Sequence, residues 1–93
     1  MIVCEDGRWR VEGPITMDNV VALLAQGKSL FTARELSVDL AAVSEVDSSA
    51  LSLLLEWRRE AARSGRSIRY LNLPSNLKSL AELYGVTELL GDA

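Results

Sequence analysis

An acid and two hydroxyls stand side by side at Asp47-Ser48-Ser49, between the alternating run Leu36-Ser37-Val38-Asp39-Leu40 and the leucine-rich stretch Ala50-Leu51-Ser52-Leu53-Leu54-Leu55. Ser, Thr and Asp are the side chains that satisfy the free amides of a helix's first turn. The same end of a helix is electropositive and suits a phosphate or a carboxylate. The chemistry on offer is therefore capping, anion contact or contact with a partner, rather than bond breaking. With no histidine in the chain, a Ser-His-acid relay is impossible. The single cysteine, Cys4, has no base to activate it, and zinc sites need Cys and His in numbers that are absent. No Gly-x-x-x-x-Gly-Lys-Ser/Thr loop exists to cradle a nucleotide. Glu45 and Asp47, the close acidic pair near the helix start, read as solvated loop carboxylates. The expectation is a protein without catalysis, cofactor or metal.

The elements that position this loop follow from periodicity and turn residues. Ile2-Val3-Cys4, Glu5-Asp6-Gly7 and Arg8-Trp9-Arg10-Val11-Glu12 predict two short strands joined at an Asp-Gly turn. Trp9, Val11 and Gly13 alternate with Arg8, Arg10 and Glu12, so one face of the second strand should be buried, and Pro14 should end it. Cys4, in an apolar segment, reads as a buried small side chain. Thr16-Met17-Asp18-Asn19 should open a helix with Val20, Val21, Leu23 and Leu24 as its stripe and Gly27 as its stop. A strand ending at Leu40 follows, then a loop from Ala41 to Asp47, a second helix capped at its far end by Gly65, and a strand Ser67-Ile68-Arg69-Tyr70-Leu71. Ser75-Asn76 should cap a last helix that carries Leu77, Leu80, Ala81 and Tyr84 and ends at Gly85. Strands alternating with helices predict an α/β domain, and the initial hairpin makes its sheet mixed.

Winding the second helix at about 100° per residue puts Ala50, Leu51, Leu53, Leu54, Leu55, Trp57, Ala61 and Ala62 on an arc of roughly 200°, with Arg58 inside it. A helix that only packs on its own sheet needs a stripe of about 100°. The surplus has two readings: deeper burial against neighbouring elements, or a margin that docks on another protein. That margin is either Trp57 with Leu53 or Leu51 with Leu55, and Leu54 faces the sheet in both cases. Arg58 within the arc favours docking, because a lone guanidinium aimed into a core is costly whereas at an interface it can snorkel or meet a carboxylate.

Ninety-three residues make one domain, with 48% apolar residues for a core and 25% charged residues for a surface. A net charge of −3 and the lack of a basic stripe argue against nucleic acid. Arg58, Arg59, Arg63 and Arg66 read as a solvated helix face. Met1-Ile2-Val3 followed by Glu5-Asp6-Gly7 is not a secretory leader, and no apolar run approaches the ~20 residues that span a bilayer. A cytoplasmic location is expected, with membrane association only through a partner.

Asp47-Ser48-Ser49-Ala50-Leu51 resembles the Asp-Ser-Ser/Thr-Gly-Leu signature of STAS domains, the fold of bacterial anti-sigma-factor antagonists. The order of elements from Glu35 to Leu90, with Leu73-Pro74-Ser75-Asn76-Leu77 after the last strand, is similar too. Length and the closing Leu80-Ala81-Glu82-Leu83-Tyr84-Gly85-Val86 look most like the single-domain (MlaB-like) STAS subunits of Mla-type phospholipid-transport ABC systems. The resemblance implies a single STAS domain over residues 1–93 with about four strands. It also implies a partner: the transporter's cytoplasmic ATPase subunit and, through it, a membrane permease that maintains outer-membrane lipid asymmetry. The alternative partner is a serine-kinase anti-sigma factor, for which the resemblance makes Ser48 the phosphoacceptor and Asp47 a residue that shapes the loop. Ala50 and Ser52 stand where that signature has glycines, adding Cβ atoms where a kinase would approach the backbone. The residues implied in partner contact or phosphoacceptance are Asp47, Ser48, Ser49, Leu51, Leu53, Trp57 and Arg58.

Overall fold

A computed structural model of the chain describes residues 2–5, 8–29 and 34–86. Along the chain lie β1 (Ile2–Glu5), β2 (Arg8–Val11), β3 (Gly13–Ile15), α1 (Val20–Ser29), β4 (Glu35–Asp39), β5 (Val43–Val46), α2 (Ser48–Arg63), β6 (Ser67–Leu71) and α3 (Ser75–Leu83). β1 and β2 pair antiparallel, with Cys4 opposite Trp9, as the hairpin pattern predicts. Asp6 and Gly7 of its turn lie outside the described residues, as does the stretch from 87 to Leu90. β2 alternates as expected, burying Trp9 and Val11 and exposing Arg8 and Arg10. β4 joins β2 in parallel, and β6 joins β4 in parallel, giving a mixed four-stranded sheet in the order β1-β2-β4-β6.

Several expectations are corrected. The segment from Ala41 to Asp47 is not all loop: Val43–Val46 pairs in parallel with Gly13–Ile15 as a separate two-stranded sheet. Pro14 does not end a strand but sits inside β3, at an edge where its missing amide costs nothing, and the register shifts between Gly13 and Ile15. Cys4 is exposed, not buried, because β1 is an edge strand of the sheet. Gly27 does not stop α1, which runs on to Ser29. It is a point of close approach between α1 and α2, since a Cβ there would overlap the Trp57 indole. Of the expected α1 stripe only Leu23 is fully buried; Val20 and Leu24 are half-buried and Val21 is 76% exposed.

The core lies between the sheet and the helices. Trp9 from β2, Val38 from β4, Tyr70 from β6, and Leu54 and Trp57 from α2 are all sealed from solvent. The two indoles meet edge to face, with centroids 5.4 Å apart and planes at 83°. Tyr70 Oη donates to the Leu54 carbonyl at 2.6 Å, and burial pushes the phenol's pKa up, so the ring is locked as a neutral donor across the sheet–helix interface. α2 ends as expected: Gly65 takes φ of +70°, Gly65 N donates to Ala62 O and Arg66 N to Ala61 O. α3 ends in the same way at Gly85, with Val86 N on Ala81 O. Its start differs from expectation. Pro74 occupies the cap position with no side-chain hydrogen bond, and Ser75 is already helical.

Candidate functional site

Asp47 is extended (φ −129°, ψ −170°) between β5 and α2, and its amide donates to Ile15 O at 3.3 Å. One carboxylate oxygen accepts the Ser49 amide at 2.9 Å and also the Ser49 hydroxyl, so the acid is the helix cap. The other accepts the Met17 amide at 3.0 Å. One side chain thus ties the start of α2 to the turn that opens α1. The Ser49 hydroxyl above all, then the Met17 and Ser49 amides, hold the Asp47 carboxyl below the usual carboxylate range. With capping done by Asp47 and Ser49, the exposed Ser48 hydroxyl has no hydrogen-bond partner among the described residues.

Beside Ser48 opens a concavity of about 420 Å³, lined by Ser48, Ser49, Leu51, Ser52 and Leu55 of α2 and by Tyr84 and Val86 beyond α3. Leu51 and Leu55 stack one turn apart on the same side of the helix. Tyr84, expected on the last helix beside Leu77, Leu80 and Ala81, is its C-cap residue and stands 58% exposed on the far wall. It lies past the last helical residue, Leu83, and just before the turn at Gly85.

Of the residues singled out from sequence, Asp47, Ser48, Ser49 and Leu51 come together at this end. Leu53 and Trp57 do not. Both are buried, Trp57 completely, against Gly27 of α1 and Trp9 of β2. The margin formed by Trp57 and Leu53 is therefore withdrawn as an exposed surface; on the other margin Leu51 is also buried, at 4% exposure, but lines the concavity together with the half-buried Leu55. Arg58 is half-buried about 15 Å down the helix axis from Ser48. Its charge acts on the Tyr70 phenol rather than at the helix start. Ser52, one turn after Ser48 on α2, was legible as a neighbour of the motif, but Tyr84, Val86 and Met17 were not, because two other segments supply them. Among the described residues no group of His, Cys, Asp and Glu could hold a metal ion, and no helix is long and apolar enough to cross a membrane.

The chain belongs to the STAS family: the family model described as "Mlab, STAS domain" matches residues 4–91. STAS domains mediate protein–protein interaction and are in general binding and regulatory modules. No curated protein matches the chain. Among solved structures, the anti-sigma factor antagonist SpoIIAA in its unphosphorylated form is similar, with a TM-score of 0.78 and 17% identity over 100% of this chain and 86% of that one. A structure of Mglu matches with a TM-score of 0.62 and 22% identity over 78% of this chain, but the match spans only 19% of Mglu. At these identities the likeness is one of fold.

Proposed function

We propose that this protein is a non-catalytic accessory subunit that docks on the cytoplasmic ATPase of an Mla-type phospholipid-transport ABC transporter, at the inner face of the inner membrane. The observation that carries the reading is the open concavity where Ser48, Leu51 and Leu55 meet Tyr84, an apolar surface with a free hydroxyl at its rim. Apolar surface of this kind, edged by polar groups, marks interaction sites, and aromatic side chains often anchor them. The family description, which names Mlab, supports the choice of partner. The subunit acts by binding preferentially to the folded, dimerisation-competent ATPase, which raises the population of that state. It touches neither nucleotide nor lipid, and the permease is reached only through the ATPase.

A second reading is an anti-sigma-factor antagonist phosphorylated on Ser48. It is favoured by the exposure and unengaged hydroxyl of that residue and by the fold it shares with SpoIIAA. Affinity capture from cytoplasm and detergent-solubilised membrane separates the two. Recovery of an ABC ATPase with its permease is expected; recovery of an anti-sigma kinase without an ATPase overturns the transporter reading.

A further inference from the structure

Charge is segregated along this chain. From Val11 to Gly27, and again from Glu35 to Trp57, there is no Lys or Arg, while Asp18, Glu45 and Asp47 fall within those stretches. Together with Tyr84 and Val86 these stretches supply the surface around Ser48, and the hydrogen bond from Met17 N to Asp47 Oδ2 brings the two stretches together. Asp18 directly follows Met17, and Glu45 precedes Asp47 by two residues. Both are exposed, and neither has an ion-pair partner among the described residues. Further along α2 the charges are balanced, with Arg59 on Glu56 and Arg63 on Glu60, each at 2.7 Å.

The apolar surface at this end also extends beyond the concavity. Thr16 O accepts from both Asn19 N and Val20 N, so the segment before α1 is already wound as a helical turn and sets Met17 and Val21 one turn apart. They are 77% and 76% exposed. Leu55 and Tyr84 thus line the concavity beside Ser48, Met17 is tied by its amide to the adjacent Asp47, and Asp18 and Glu45 lie within two residues of that link.

We propose that this end receives the basic face of a partner protein, whose Lys or Arg side chains surround its apolar contacts and meet Asp18 and Glu45. The proposal rests on the docking reading above and names the chemistry of the docked surface. Charge complementarity selects this occupant. A second copy joined two-fold through this end would set Asp18 and Glu45 against like charges, and anionic lipid or nucleic acid would be repelled.

The test is stopped-flow association of the full chain with the purified ATPase subunit, from low to physiological salt. The wild-type on-rate should fall steeply with salt, and an Asp18→Asn/Glu45→Gln double variant should associate about tenfold more slowly at low salt. Its salt dependence should be flatter, and its dissociation rate and melting midpoint unchanged. An on-rate equal in wild type and double variant overturns the basic-face proposal even while binding, and with it the docking reading, persists. Complete failure to bind the ATPase overturns the docking reading itself. Retention of the chain on anionic vesicles through this end, or a sedimenting dimer that the double variant strengthens, assigns the surface to another occupant and overturns the proposal.

Discussion

At the start of α2 three consecutive polar residues divide their labour. Asp47 caps the helix and clamps the turn before α1, Ser49 fastens that carboxylate, and Ser48 is left to face solvent. A change at Ser48 therefore acts on a contact and not on the fold. Ser48→Asp and Ser48→Arg should both weaken ATPase binding in a titration while leaving the melting midpoint within a few degrees, and unchanged binding by both would remove this loop from the interface. Asp47 carries the opposite expectation. Its pKa is lowered in the folded protein, so its stabilisation is fully present above the ordinary carboxylate value of ~3.9 and is lost as pH falls below that toward the folded value. Asp47→Asn should lower stability near neutrality and reduce the acid-side slope in urea melts taken from pH 7 downward. The slope should not vanish. Asp39 is lowered too, by the Asn72 side-chain amide first and the Ala41 amide second, and it remains in the variant. An unaltered acid limb would show that the Asp47 clamp does not form in solution.

At the scale of elements, α2 has a wide apolar arc because it packs on two sides at once. Leu54 meets the sheet through Tyr70, and Trp57 meets α1 at Gly27 and β2 at Trp9. Leu54→Ala should cost ~2–5 kcal/mol and Trp57→Ala ~3–5 kcal/mol, both read from urea midpoints, so loss of binding by either reports unfolding. Tyr84→Ala, at an exposed position, should keep the wild-type midpoint and lose partner affinity by more than ~1 kcal/mol if the tyrosine anchors the interface. A Tyr84→Ala protein that melts early would mean that this wall of the concavity is part of the core. Gly27→Ala tests the contact between α1 and α2 directly. The added methyl group must displace the Trp57 ring, so a loss of ~1–3 kcal/mol with a shift in tryptophan emission is expected. Wild-type emission and stability would place the two helices further apart.

For the whole molecule, 93 residues at ~0.05–0.15 kcal/mol each leave a total stability of only about 5–14 kcal/mol, so one emptied core site removes a large part of it. The two tryptophans lie in one contiguous core that also holds residues of every helix. Urea unfolding followed by tryptophan fluorescence and by far-ultraviolet circular dichroism should therefore give coincident transitions. Separated midpoints would show that α3, which bears the Tyr84 wall, unfolds independently of the sheet. Charge is arranged on the same scale. The basic residues fall on β2, β6 and α3, at the end of α1, before β4, and in the second half of α2 and the turn after it, while two long stretches of chain at the Ser48 end carry acids and no Lys or Arg.

The order of elements, the mixed sheet, the cap at Asp47 and the Gly65 stop were legible in the sequence because each rests on a local rule. Residue alternation, helical period, capping chemistry and positive φ all act within a few residues. The central burial of Leu54 was legible for the same reason, since it lies in the middle of the apolar arc. Which margin of that arc is free was not. Periodicity ranks positions around a helix but carries no record of what stands opposite, and it is the approach of α1 at Gly27 and of Trp9 from β2 that seals Trp57, while the half-buried Leu55 and the nearly buried Leu51 line the open concavity. β5 was hidden because its four residues bury too little to alternate visibly, and they became a strand only when β3 supplied hydrogen bonds across 30 positions of sequence. Tyr84, Val86 and Met17 reached the Ser48 end in the same way, through packing and one carboxylate that joins distant segments. Local interactions chose the elements, and non-local contacts chose which of their faces remained exposed.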